Sequence, residues 1–332
     1  MSTVGRKADH LRIAAGPGVA HAGGTGLERL RLRHRALPER DLADVSLETE
    51  LLGARLGAPL IVSAMTGGTA EAGEINARLA RAACEHRLAL VLGSGRALLE
   101  DPSLLPTFRS ADRPPLLLGN LGAAQVRLAD APERAERLVE LLGADGLTIH
   151  LNPVQEAVQP EGEPQFAGVA DGIAAVVAHL APRPVVVKEV GFGMDAADVA
   201  LLRDAGVAAI DVAGAGGTNW ALVEGRRQTA AEKVAAAFAD WGVPTADALV
   251  DARDAAPGIP LIASGGLRDG VDAAKALALG ATAAGLARAF LLGARADEAS
   301  ETAAALVRQL RVAVWAAGAA GAAELSPAHL RS

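Results

Sequence analysis

At 332 residues, about half of them hydrophobic and 2% aromatic, the chain can bury one large core or two medium ones. Its net charge of −7 argues against general nucleic-acid binding, so any phosphate site must be built locally from a few basic residues. A single cysteine, Cys84, excludes an internal disulfide and a cysteine-rich metal site and suits a reducing cytoplasm; no signal-peptide run or membrane span is visible, because Lys275, Gly280 and Arg288 interrupt the Ala-rich stretch 273–292.

The first 58 residues form an extension ahead of any buried strand. They contain Arg6-Lys7-Ala-Asp-His10, three potential cations that either close over an anionic ligand or form a solvated tail. The charge run from Glu28 to Arg35 reads as a solvated face. Eight apolar runs follow: 59–64, 88–92, 115–119, 146–149, 184–188, 208–212, 260–263 and 281–286. Each leads into Gly-rich or polar residues and then into a helix-like Ala/Leu/Arg/Glu stretch. Near-continuous hydrophobicity marks strands buried on both faces, as in a parallel sheet. Eight such βα units predict a closed (β/α)8 TIM barrel over 59–325, with a tail at 326–332. The alternative, an open Rossmann-like sheet, would show one dominant Gly-rich turn early in the chain. Here polar motifs follow nearly every run, as expected if the βα loops build the site. From Thr302 to Ala317 the pattern is helical, with Leu306, Leu310 and Val314 on one face, and Ser326-Pro327 ends it.

Several of these loops can carry chemistry. Ser63-Ala-Met-Thr-Gly-Gly-Thr69 permits close approach to a flat ligand and offers the hydroxyls of Thr66 and Thr69, or is an ordinary tight turn. In Gly93-Ser-Gly-Arg96 the arginine is suited to an anionic oxygen or lies on the surface. Asn120 either hydrogen-bonds a heteroaromatic ring or caps a turn. His150-Leu-Asn-Pro-Val-Gln-Glu156 brings a histidine, two carboxamides and a carboxylate to one strand end, a set that can orient a ligand, hold a proton or bind a hard cation. Lys188 emerges from a buried strand, where it can hold developing negative charge; pairing with Glu189 is disfavoured because adjacent strand residues point to opposite faces. The glycines of 214–218 and 264–268, with Ala287-Arg288, sit where barrels commonly place a phosphate cradle.

Taken in order, these motifs resemble the FMN-dependent type II isopentenyl-diphosphate isomerases over about residues 5–325. The resemblance rests on Arg6-Lys7-x-x-His10, Ala36-Leu-Pro-Glu39, Met65-Thr-Gly-Gly68, Gly93-Ser-x-Arg96, His150 to Glu156, Pro160-Glu-Gly162, Lys188-Glu-Val-Gly191, Asp211 to Thr218, Trp241-Gly242 and Ala263-Ser-Gly-Gly266. It implies a barrel that binds FMN at the strand C-termini and converts isopentenyl diphosphate to dimethylallyl diphosphate without net redox change. FMN contacts would fall on Ala64, Met65, Thr66, Ser94, Asn120, Lys188 and Thr218, with the flavin phosphate among Gly216, Gly217, Gly265, Gly266, Ala287 and Arg288. Substrate diphosphate would be held by Arg6, Lys7, His10, Ser94, Arg96, His150 and Asn152. Gln155 would sit by the carbon skeleton and Glu156 would bind Mg²⁺. Gln155 and Lys188 are the expected catalytic groups: Lys188 stabilises the reduced flavin, while Gln155 positions substrate or assists proton movement. The resemblance further implies NADPH as reductant, a cytoplasmic homo-oligomer (tetramer or octamer), and neither nucleic-acid nor membrane partners. Three positions depart from the family pattern: Gly95 for glutamine, Ala215 for arginine and Glu163 for aspartate.

Two other enzyme types and one binding protein compete. An FMN-dependent α-hydroxyacid oxidase needs a histidine base and arginines after the later strands, yet beyond His150 the chain has only His179, in a helix-like stretch, and His329, in the tail. An inosinate-dehydrogenase-like enzyme needs a loop cysteine, whereas Cys84 falls in a helical pattern and is expected to pack. A non-catalytic flavin- or phosphate-binding barrel predicts loss of Gln155, Glu156 or Lys188, and all three are present.

Overall fold

The computed structural model describes residues 3–331. Eight parallel strands close into a barrel: β1 Leu60–Val62, β2 Ala89–Val91, β3 Leu116–Gly122, β4 Gly146–His150, β5 Val185–Lys188, β6 Ala209–Asp211, β7 Leu261–Ala263 and β8 Ala283–Leu286. All eight coincide with the apolar runs, and closure through the β8–β1 pairing (Ala284 to Leu60, Leu286 to Val62) rules out the open sheet.

Alternation along each strand divides the apolar residues between two cores. Ile61, Ala89, Val91, Leu116, Leu118, Val186, Ala209, Ile262 and Ala283 point into the barrel. Leu60, Val62, Leu90, Leu147, Ile149, Val185, Val187 and Ile210 point outward against the helices. Leu51 and Leu56, from the hairpin Thr49–Leu51/Ala54–Leu56, pack with the inner residues at the strand starts and so plug the N-terminal mouth.

The extension is folded. Helix Thr3–Ala15 buries Leu11 and Ile13 and packs on helix Trp220–Arg227, so the Arg6-Lys7-x-x-His10 motif is anchored beside the barrel. Most of the 28–35 run is exposed, as a solvated face requires. Within that run Arg31–Leu32 pairs antiparallel with Leu330–Arg331. The C-terminal helix spans Ala299–Ala316 and buries Ala303, Leu306, Leu310, Ala313 and Val314. Cys84 corrects one expectation: it is exposed. Helix Ala70–Glu85 buries Ala72, Ile75, Asn76, Leu79, Ala80, Ala82 and Ala83, and Cys84 falls just past that stripe.

Candidate active site

Following the inward-facing positions of each strand upward, the barrel lining turns from apolar to polar at the C-terminal end. The layer above the inner core holds Ser63, Asn120, Thr148, His150, Lys188, Asp211 and Ser264; Lys188 is in register with His150 on one side and Asp211 on the other. A barrel can carry such a layer only if its polar groups find partners, and some do here. Ser264 Oγ donates to Asp211 Oδ1 (2.7 Å), His150 Nδ1–H donates to Asn120 Oδ1 (2.7 Å), and the Lys188 ammonium donates to the Glu189 carbonyl. Burial pushes Asp211 above the usual carboxylate range. Burial, then the Lys188 and Lys7 charges, push His150 down to about 3, so its imidazole is neutral at pH 7. Outward-facing Glu189 accepts the backbone N–H groups of Val190, Gly191 and Phe192 (2.6, 2.6 and 2.5 Å), yet burial raises it to about 7.

Among the described residues, the buried hydroxyls of Ser63, Thr66 and Thr148 have no hydrogen-bond partner. Above them, the loops after β6 and β7 meet backbone to backbone. A Cβ on Gly217 would lie 2.5 Å from the Gly266 nitrogen, and one on Gly216 would lie 2.6 Å from Thr25. Gly216, Gly265 and Gly266 also adopt φ values of 122°, 95° and 80°, conformations that glycine alone enters at little cost. Unpaired hydroxyls, a buried lysine and a side-chain-free cradle of amides fit a flat heterocycle carrying a phosphate, and FMN is such a group. Met65 and Ala64 line the same strand end half-buried, and Thr218 pairs its backbone with Ala20. Ala287 precedes helix Arg288–Arg295, while the Arg288 side chain turns away to the carbonyls of Ala15 and Gly16 (3.1 and 3.3 Å).

The second half of the site joins helix Thr3–Ala15 to helix Pro153–Val158. Lys7 Nζ donates to the Ser94 carbonyl (2.8 Å) and lies 5.0 Å over the Phe108 ring; burial first, and Arg6 second, lower it to about 8. Asn152 Nδ2 bridges Gln155 Oε1 (3.2 Å) and Glu156 Oε1 (2.9 Å), and Glu156 Oε2 accepts the Glu163 N–H (2.8 Å). Arg96 is held bidentately by Glu163 (2.7 and 3.0 Å) and by Glu100 (2.9 Å), so a diphosphate reaching it must exchange with carboxylates. Beneath Gln155 lies a residue that the sequence reading missed. Glu224, fully buried, accepts from Gln155 Nε2 (2.9 Å), His10 Nε2 (2.8 Å) and Arg227 Nε (2.8 Å). With its amide turned to satisfy both neighbours, Gln159 adds a bond to Glu224 (3.1 Å) and one from Arg6 (2.8 Å). Burial alone would raise Glu224; the His10, Gln155 and Arg227 contacts outweigh it and hold the carboxylate below its ordinary range.

No group of three or more His, Cys, Asp or Glu residues among the described residues could hold a metal. A cation at Glu156 would have to draw most of its ligands from elsewhere, such as diphosphate oxygens and water. At two family departures the surroundings are close: a Cβ on Gly95 would meet the Leu138 side chain, and Ala215 is fully buried.

The FMN-dependent dehydrogenase family is matched over residues 154–332. An isopentenyl-diphosphate delta-isomerase of Synechococcus sp. is 50% identical over 298 residues, covering 88% of this chain and 85% of the relative. The enzyme of that name from Stutzerimonas stutzeri is 49% identical over 339 residues, covering 99% and 97%. Among solved structures, a mandelate oxidase with (S)-2-phenylpropionate superposes with a TM-score of 0.66 at 22% identity, over 98% of this chain and 97% of that one, which establishes the fold alone.

Proposed function

The chain belongs to the isopentenyl-diphosphate delta-isomerase family and carries the FMN-dependent dehydrogenase domain, and from that premise we propose that it interconverts isopentenyl and dimethylallyl diphosphate at reduced FMN. The observation that carries the reading is the neutral Gln155 amide held 2.9 Å from buried Glu224, the same carboxylate that His10 of the N-terminal helix contacts at 2.8 Å. The reaction adds a proton to the terminal methylene of the substrate and removes one from the carbon on the other side of the branch point. Bound in its reduced state, FMN supplies electron density beside the cationic carbon skeleton and a nitrogen able to exchange a proton.

The chain's own residues supply the rest. Lys188 would hold positive charge at a bound flavin, and the unpaired Ser63, Thr66 and Thr148 hydroxyls would offer it hydrogen bonds. Gly216, Gly217, Gly265 and Gly266 admit the phosphate. Arg6, Lys7, His10, Ser94, Arg96 and Asn152 would hold the diphosphate, and Glu156 would be the residue to hold a Mg²⁺ that neutralises it. Because Asn120 accepts the Nδ1–H hydrogen bond, neutral His150 presents a bare Nε2; it donates to the diphosphate only once the incoming negative charge favours the imidazolium and the ring takes up a proton. A carboxamide is a poor acid and a poor base on its own, so Gln155 orients the alkene, and a proton would reach or leave the Glu224 carboxylate behind it by relay, the amide oxygen accepting one as Nε2–H passes one on.

Our proposal also includes NADPH as the electron source, a homo-oligomeric assembly and a cytoplasmic location. None of the helices among the described residues is long and apolar enough to cross a membrane. An α-hydroxyacid oxidase is disfavoured, because Arg268 pairs with Asp272 and Arg288 with the carbonyls of Ala15 and Gly16, so neither arginine is held ready for a carboxylate substrate.

The test incubates purified protein anaerobically with FMN, NADPH, Mg²⁺ and isopentenyl diphosphate and looks for dimethylallyl diphosphate. Absence of product with flavin bound and reduced would sink the assignment.

A further inference from the structure

Resting on the isomerase reading, the geometry points to Arg227 as a positioning residue: it holds Glu224 as an anion with Oε1 turned toward Gln155, and Glu161 tempers that hold from the far side. Glu224 and Arg227 lie three apart on helix Trp220–Arg227, and both side chains are fully buried. Arg227 Nε occupies Glu224 Oε2 (2.8 Å), which leaves Oε1 to face His10 and Gln155 (2.8 and 2.9 Å). The other edge of the guanidinium meets Glu161 (2.6 Å), just past the end of the helix that carries Gln155. A planar guanidinium can serve two carboxylates in this way because its donors diverge in one plane.

A buried carboxylate with no cation beside it takes up a proton, and a protonated Glu224 cannot receive one from the substrate. The groups facing it can be named. Helix Thr3–Ala15 contributes His10 directly and Arg6 through Gln159. The 153–161 segment contributes uncharged Gln155 and Gln159 and anionic Glu161, and its own helix contributes Arg227. On helix Thr229–Ala236 the charged residues Glu232 and Lys233 are exposed. His10 is itself a candidate diphosphate ligand and leaves Glu224 if the substrate draws it away. Arg227, anchored by Glu161, then remains as the cation that keeps Glu224 charged through the cycle.

The experiment measures kcat against pH on FMN-loaded wild type, Arg227→Gln, Arg227→Lys and Glu161→Gln. Loss of the guanidinium moves the acid limb of Arg227→Gln upward by at least about one pH unit, with the KM for isopentenyl diphosphate changed less than about threefold. Arg227→Lys brings the limb most of the way back, and Glu161→Gln moves it below the wild-type position. An acid limb in folded, flavin-bound Arg227→Gln that coincides with wild type overturns the inference. If Arg227→Gln does not fold, difference infrared titration of the Glu224 carboxyl carries the test, its band assigned by its loss in Glu224→Gln. A midpoint in Glu161→Gln below that of wild type supports the inference, and one unchanged or raised overturns it. Wild type with no isomerase activity would instead refute the functional reading on which this rests.

Discussion

Gln155 has no ionisable proton, so its neighbours decide what it does. Set between Asn152 and Glu224, its amide is fixed at both ends. Gln155→Ala should bind FMN normally, judged by flavin absorbance, and lose at least ~100-fold in kcat, a deficit typical of a lost acid–base group; wild-type turnover would remove its role. Lys7 gives a pH signature. Held near 8, it is a cation below that pH and neutral above it, so kcat/KM should fall as pH rises through about 8, whereas Lys7→Arg should stay active to higher pH. Glu189 gives another, in stability. Its folded value, about 7, lies above the ordinary 4.5, so the native state binds the proton more tightly than the unfolded chain. The resulting stabilisation is complete below about pH 4.5 and disappears as pH rises through 7, a loss on the order of 1–3 kcal/mol. Thermal melts of Glu189→Gln between pH 5 and 7.5 should show a smaller fall in Tm than wild type; equal falls would count against the assignment. The proposed ligand contacts were readable because their types are unusual at strand ends: Lys188, Asn120 and the 150–156 run. Glu224 was not. In the sequence it is one charged residue of a helix ending Glu-Gly-Arg-Arg, and its burial comes from a helix more than 200 residues earlier folding onto it.

Among the elements, the strands were the most legible. Their apolar runs are continuous because both faces are buried, a pattern that solvent-facing helices do not share. Helix faces were read less well. Cys84 was expected to pack, yet the buried stripe of its helix ends one residue earlier. The N-terminal helix was left open between a ligand-closing segment and a solvated tail, since nothing in its sequence states which surface it covers. The glycine loops were legible for the opposite reason to the strands: only a backbone without side chains lets two turns meet. Gly217→Ala should therefore weaken FMN binding at least ~10-fold, about 1.4 kcal/mol, by fluorescence titration. Gly168→Ala, which meets nothing within 4 Å, should leave FMN affinity unchanged, although its φ of +82° carries a stability cost of its own. Equal FMN affinity in the Gly217 and Gly168 variants would argue that the loops do not form the cradle.

At the scale of the whole molecule, the proposed site divides its tasks: the barrel would supply the cofactor site and the extension much of the charge for the substrate. Removing residues 1–15 should leave a folded protein that still takes up FMN. It should also cut kcat/KM at least ~100-fold, about 2.7 kcal/mol, mostly through KM, because Arg6, Lys7 and His10 leave together. Loss of flavin binding as well would show that the helix is part of the cofactor site. Barrel closure has one more consequence, in how the protein is made. β1 pairs with β2, which follows it closely, and with β8, which emerges more than 220 residues later. At about 5–20 residues per second, the Leu60-Ile61-Val62 edge waits on the order of 10–50 s on the ribosome before its second neighbour exists. Throughout that interval a three-residue aliphatic edge is available to any other strand, so the shortness of β1 guards the nascent chain as much as it shapes the finished barrel.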